Sequence, residues 1–418
     1  MNSRSGGEDP ALSAFPDVAL AAGALSGGLL AVHAHPDDET LSTGGLLAAF
    51  AAAGLPARVV TCTRGERGEV IALPGTTSEG RAGLEGDGPA LGAYRETELA
   101  RALVALGGGA DGAVERVFLD SLSRVDAQVS RVVGVGSRPD GDAVPGLVAG
   151  AVSEPAVPVR YEDSGMEWVA PGVAGPAPDS PPTAFARVPL DEPAGRLAVL
   201  IRTTRPAVVA TYEPGGGYGH PDHVRAHEVT VRALRLAADP VWRPGGGEPV
   251  QVAEPGGGVG RQDEPWAGAE LWQAVALADE VRAARATLAG LPEATALAAA
   301  EGLTLADPHE DLPPLARNDL PGWSVERQVI GTSDRRSSDV PPITSVGRGS
   351  GGERVVRVDV GGVLERVVAA MRAHATQVQH ATVLARPEGS VAGWYALSNG
   401  VLAPILTTET YVVVDPPV

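Results

Sequence analysis

The sequence predicts an α/β protein: a mostly parallel sheet flanked by helices, with a smaller C-terminal α/β part and several loop insertions. Three observations predict it. Short apolar runs alternate with stretches of helical apolar spacing through the first half; the two densest polar clusters each directly follow one of those runs; and the segments that break the alternation are rich in Gly, Pro, Ser or charge. Gly28 to His33 is an uncharged, strand-like run, Leu41 to Ala53 has helical spacing, and Ala57 to Thr63 is a Val-rich strand. Ala93 to Leu106 is a helix and Val114 to Leu119 a third strand. Leu197 to Arg205, Ala207 to Tyr212 and Asp222 to Ala237 continue as helix, strand and helix. Val355 to Val360, Gly362 to about Thr376 and Thr408 to Val414 then read as strand, helix and strand. Residues 1–26 are expected to form a disordered leader, 27–240 the main domain, and 265–418 a C-terminal part of the same compact unit. Ser121 to Val159, Pro171 to Pro182, Arg243 to Glu264 and Gly331 to Glu353 read as surface insertions or loops that cannot build a core.

Composition removes several function classes. All 33 basic residues are Arg, so a P-loop, which sets a Lys on the terminal phosphates, and Schiff-base chemistry on a Lys amine are excluded. With 52 acidic residues the net charge is −19, which argues against binding duplex nucleic acid or an anionic membrane surface. A single cysteine, Cys62, excludes disulfides, Cys-rich zinc ribbons and iron–sulfur clusters. Any metal must sit on His, Asp and Glu. The run from Ala19 to Val32 is too short and too Gly-rich to span a bilayer. A cytoplasmic enzyme with no obligatory protein partner is expected, and the Ala/Gly/Arg/Pro bias suggests the GC-rich genome of an actinobacterium.

The sharpest signal is His35-Pro36-Asp37-Asp38-Glu39, directly after the first strand. The second is Tyr218-Gly219-His220-Pro221-Asp222-His223, with His227 four residues on, directly after the Tyr212 strand. Loops at the carboxyl ends of parallel strands open onto one crevice, so the two clusters are expected to meet. Together they offer two or three His and several carboxylates, which suits a divalent ion such as zinc with one position left for water. Each piece has a plainer explanation. Asp-Asp-Glu before a helix serves N-capping and dipole complementarity, His227 is compatible with simple packing, and His33 lies within a strand and reads as structural. The functional reading prevails because five of the eight His fall in these two short segments or, for His33, two residues before the first.

These residues resemble the LmbE/PIG-L family of zinc N-acetylglucosamine deacetylases, whose fold is Rossmann-like. Gly65-Glu66-Arg67-Gly68-Glu69-Val70-Ile71, Tyr94-Arg95, Asp163-Ser164-Gly165-Met166, Ala373-His374-Ala375-Thr376-Gln377 and Ala396-Leu397-Ser398-Asn399 narrow the resemblance to its mycothiol-biosynthesis branch, which acts on N-acetylglucosaminyl-inositol. The resemblance implies His35, Asp38 and His223 as ligands of one Zn2+ per subunit and Asp37 as general base. It implies Tyr218 and His220 as groups that stabilise the oxyanion or protonate the leaving amine, with Asp222 orienting His220. It also implies that Arg95, Asp163, Glu69 and Gln377 contact the hydroxyls of a small sugar–inositol substrate. A His near its ordinary pKa suits the acid's role. Ferrous iron suits the same ligands.

Three rivals remain. The sister mycothiol S-conjugate amidase shares the metal motif, and Gly219 before His220 favours the deacetylase. A non-haem iron oxygenase would also use two His and a carboxylate, but leaves Asp37 unexplained. Gly107, Gly109 and Gly112 match the dinucleotide fingerprint, yet they follow a helix and precede a strand, the reverse of the required order.

Overall fold

The computed structural model describes residues 25–109, 112–122, 160–170, 172–244, 263–320, 343–348 and 353–414. The leader before Leu25 and most of the Ser121–Val159, Arg243–Glu264 and Gly331–Glu353 segments lie outside the described residues.

Strand β1 (Leu29–His33) is buried along its whole length, as an uncharged run between two layers of helices must be. It leads into α1 (Asp38–Ala52), β2 (Ala57–Thr61), α2 (Gly88–Leu106) and β3 (Glu115–Phe118). A hairpin of β4 (Met166–Ala170) and β5 (Val173–Pro176) precedes α3 (Asp191–Thr204), β6 (Val208–Tyr212), the short turn α4 (Gly216–Gly219) and α5 (Pro221–Ala238). The C-terminal part comprises β7 (Glu270–Leu277), α6 (Ala278–Ala289), α7 (Pro292–Glu301), β8 (Thr304–Leu305), β9 (Ala316–Arg317), β10 (Ile343–Arg348), β11 (Arg354–Asp359), α8 (Leu364–Ala373), β12 (Gln379–Glu388), β13 (Val391–Ala396), β14 (Val401–Leu406) and β15 (Thr408–Val414).

In the main sheet β3, β2, β1, β6 and β7 run parallel in that order, and β15, β11 and β10 extend it antiparallel. The fold is therefore α/β, with a mostly parallel sheet between helices. Alternate residues of β1 serve opposite faces. Leu29 and Ala31 pack with Leu46 and Phe50 of α1, Leu99 and Leu103 of α2 and Val368 and Met371 of α8, while Leu30 and Val32 pack with Leu197 and Ile201 of α3 and Val229 and Ala233 of α5. The C-terminal strands are tied to α1 by the half-buried Glu409, which accepts the backbone N–H groups of Gly45 (2.6 Å) and Leu46 (2.9 Å). A second sheet, β12-β13-β14-β8, packs Trp394 and Leu402 against Leu288 and Ala294 of α6 and α7.

Two segments read as loops contain strands. Val173–Pro176 pairs with β4, because its small residues let the hairpin lie close against the core, with Ala174 and Ala177 buried. Ile343–Arg348 pairs with β11 at the sheet edge, where backbone pairing alone suffices. Among the described residues no helix is long and apolar enough to cross a membrane.

The chain leaves β1 toward β2 on one side and, after the α3 crossover, toward β6 on the other. The crevice at the carboxyl ends of β1 and β6 is thus the topological switch point, and both polar clusters open onto it.

Candidate metal centre and active site

Three donor atoms form a nearly equilateral triangle in that crevice. His35 Nδ1 lies 3.2 Å from Asp38 Oδ2 and 3.3 Å from His223 Nε2, and His223 Nε2 lies 3.3 Å from Asp38 Oδ2. Ligands 2.0–2.1 Å from a tetrahedral centre stand about 3.3–3.4 Å apart, so one divalent ion fits all three. Two wider triples, His35/His220/His223 and His35/Asp163/Asp222, have donors within 4.8 Å of one another. Two donors on one ion at that bond length can be at most about 4.2 Å apart, so the tight triangle is the better site.

The remaining nitrogens of both candidate ligand histidines are accounted for. His223 Nδ1 lies 3.1 Å from the Gly216 carbonyl and must donate to it, which leaves Nε2 as a lone pair. His35 Nε2 faces Asp222 Oδ2 at 3.3 Å, and Asp222 is held in turn by the backbone N–H (2.8 Å) and hydroxyl of Ser164. That carboxylate–histidine pair leaves Nδ1 free for metal. The Tyr212 ring stacks on His223 at 4.3 Å, and its hydroxyl accepts the Ala34 N–H at 2.9 Å, fixing His223 to the end of the strand that leads into His35. Burial opposes ionisation of Asp38, but His223 and His35 outweigh it and hold the carboxyl well below its usual range.

Asp222 corrects an expectation. Its carboxylate orients His35, and it is its backbone N–H that donates to His220 Nδ1 (3.1 Å). The reason is local: His220 caps α5 through its ring nitrogen, Pro221 starts the helix, and the Asp222 side chain in the first turn then points across to β1. With Nδ1 accepting, neutral His220 carries its proton on Nε2 and is a donor. Burial, followed by the neighbouring His35 and His223, pushes its pKa well below the ordinary value. Tyr218 lies 5.0 Å from His223 and 6.1 Å from His220, ring to ring; burial and then the charges of Asp38 and Asp37 keep its phenol protonated. Gly219 stands at φ 93°, and a Cβ there would lie 2.7 Å from the Ala174 carbonyl, so a side chain would push the β4–β5 hairpin off the His220 turn. The exposed indole of Trp168 on that hairpin lies 5.8 Å from Tyr218 at the crevice rim.

Asp37 occupies the N-cap position of α1 but makes no side-chain cap, so the plain capping explanation fails for it. Its backbone sits at φ 120°, ψ −33°, which costs a side-chain-bearing residue about 1–3 kcal/mol. This conformation turns the carboxylate to Arg95 Nη2 at 3.1 Å. Burial pushes the Asp37 pKa up to about 6; Arg95 opposes the shift and Asp38 adds to it.

The expected substrate-contacting residues divide. Asp163 is beside the cluster, 3.7 Å from His35 Nε2, but its oxygens accept the N–H groups of Arg67 (3.1 Å) and Gly165 (2.8 Å). Arg95 is buried and holds the Gly65 carbonyl (2.8 Å) as well as Asp37. Gln377 donates to the exposed Glu69's carbonyl at 3.0 Å, and its side-chain oxygen and Arg95 both stand over Gly68. His33 bonds Thr43 (2.9 Å), and burial lowers its pKa to about 4; His227 contacts the Tyr212 carbonyl (2.9 Å). Both are structural. Sequence reasoning passed over Tyr212, Ser164 and the buried pair Glu39–His374 (2.8 Å), although each lies inside or beside a segment it singled out.

An open α/β sheet with two histidines and one carboxylate spaced to hold a divalent ion, and a separate carboxylate beside them, fits a metal-dependent hydrolase. The chain belongs to the PIG-L family, described as GlcNAc-PI de-N-acetylases, whose profile matches residues 30–234. It is 37% identical to the 1D-myo-inositol 2-acetamido-2-deoxy-alpha-D-glucopyranoside deacetylase 1 of Saccharopolyspora erythraea, over 92% of this chain and 88% of that one. It is 35% identical to the deacetylase of the same name from Kineococcus radiotolerans (92% and 76%) and 33% identical to that from Rhodococcus erythropolis (92% and 90%). Among solved structures, the A40926 pseudoaglycone deacetylase Dbv21 aligns over 94% of this chain and 99% of its own, at a TM-score of 0.38 and 16% identity. That likeness is too distant to add to the assignment.

Proposed function

We propose that this chain hydrolyses the acetamide of 1D-myo-inositol 2-acetamido-2-deoxy-alpha-D-glucopyranoside to acetate and the free glucosamine amine, with a zinc ion held by His35, Asp38 and His223. The observation that carries the reading is the tetrahedral spacing of those three donors with Asp37, their sequence neighbour, free of any capping bond. Zinc there supplies Lewis acidity, polarising a carbonyl oxygen and acidifying water. Asp37, with a pKa raised to about 6, takes the proton of the attacking water and is the source of the proton that the departing amine needs. Tyr218 and the Nε2–H of His220 are donors at the crevice and stabilise the oxyanion. Since His220 is neutral at pH 7, it acts as a hydrogen-bond donor first and as an acid only after gaining a proton. Arg95 holds Asp37, while Asp163, Glu69 and Gln377 line the approach for the sugar and inositol hydroxyls. The sugar–inositol relatives at 33–37% identity support the substrate. Residues 27–240 and 265–418 work as one unit in the cytoplasm.

Acetate release by the purified chain tests this. Turnover of the acetylated sugar–inositol is expected to stop with chelator and return with zinc. A mycothiol S-conjugate offered in parallel should be cleaved more slowly. Faster cleavage of the conjugate moves the chain to the amidase, and silence on both with metal bound overturns the reading.

A further inference from the structure

The base proposed above stands on a strained backbone, and the side chains that hold it come from distant parts of the chain. Asp37 donates its N–H to Glu39 Oε2 at 3.0 Å. The other oxygen of Glu39 accepts from the Thr40 hydroxyl (2.6 Å) and meets His374 Nε2 at 2.8 Å. Glu39 and His374 are both fully buried. From the opposite side Arg95 reaches the Pro36 carbonyl, the Asp37 carboxylate and the Gly65 carbonyl. Gly65 permits this approach: at φ 66°, a Cβ there would stand 1.9 Å from Arg95 Nη1. The two holds share one frame. Arg95 and Glu98 lie on α2 one turn apart, and Glu98 accepts the backbone N–H (2.9 Å) and hydroxyl (2.5 Å) of Thr376, two residues beyond His374.

We infer that His374 is a positioning residue for the catalytic step: through Glu39 it fixes the backbone of Asp37, so that the C-terminal segment following α8 sets the orientation of the base. The inference rests on the reading of Asp37 as the base. With the His374 ring gone, Glu39 keeps a buried charge without its partner and can turn from the Asp37 N–H, which releases the strained turn. An atom displaced by an ångström at the reacting centre lowers turnover by about 100-fold.

The test is a double-mutant cycle on the full, zinc-loaded chain, with kcat, KM and bound metal measured for each variant. His374→Leu is expected to lower kcat by about 100-fold, with KM and metal stoichiometry within about twofold of wild type. His374→Gln, whose amide N–H can donate to Glu39, should recover most of that loss. In an Asp37→Asn background His374→Leu should have no further effect, because the group it positions is gone. Equal slowing in both backgrounds, or a loss that appears in KM, overturns the inference and leaves His374 structural. Asp37→Asn alone reports on the base: if it turns over at wild-type rate, the base reading falls and this inference with it. Should His374→Leu fail to fold, Glu39→Gln, which keeps the shape and one acceptor oxygen, completes the same cycle with the same criteria.

Discussion

Asp37→Asn is expected to lower kcat by about a thousandfold while the chain keeps its full complement of metal. The substitution preserves shape, leaves the His35–Asp38–His223 triangle untouched, and removes the one carboxylate at the site that is neither a ligand nor tied up by backbone amides. General base catalysis supplies roughly 10²–10⁴ in rate, which sets the scale. The same group fixes the pH dependence. Asp37 must be ionised to accept a proton, and burial raises its pKa to about 6. A bound cation favours the ionised form and draws that value down. Wild-type kcat/KM is therefore expected to fall as pH drops, with an acid limb at or below about 6. The residual rate of Asp37→Asn should lack that limb. A variant with near-normal rate, or with the limb intact, would remove Asp37 from the proton transfer.

The second large effect is on the metal. His35→Ala and His223→Ala are each expected to abolish turnover and to lose the ion, and excess zinc should not restore activity, since two donors cannot complete the site. Asp222→Asn discriminates more finely. If its carboxylate orients His35, metal affinity should weaken about 10- to 100-fold, the scale for removing a group that holds a metal-bound histidine. If instead it served His220, affinity would stand and kcat alone would fall. Metal titration of the purified variants decides between the two.

Much of this arrangement was legible in the chain. β1 and β6 announced themselves as apolar runs, and a His-rich cluster immediately after each is what a switch-point crevice requires. The α/β class followed from the same alternation. What stayed hidden has physical causes. The Val173–Pro176 strand is built from small residues and Pro, and its pairing is set by the neighbouring strand and the close approach at Gly219. Helix α7 is half Ala with a single Leu, and has too little apolar contrast between its faces to stand out as amphipathic. At the site, the resemblance implied that Asp222 orients His220, whereas the start of α5 turns the Asp222 carboxylate to His35 and leaves only its backbone N–H to His220. His374 and Glu39 are 335 residues apart, and the buried pair comes into being only when α8 packs on α1 and α2. A histidine's partner is a tertiary fact.

Turnover in H₂¹⁸O under strict exclusion of oxygen tests the central claim most directly. Hydrolysis of the acetamide at this site predicts an undiminished rate, acetate carrying one ¹⁸O atom, and one free amine per acetate. A rate that needs oxygen, or acetate without the label, would contradict a hydrolase acting through Asp37 and return the two-histidine, one-carboxylate cluster to oxidative chemistry.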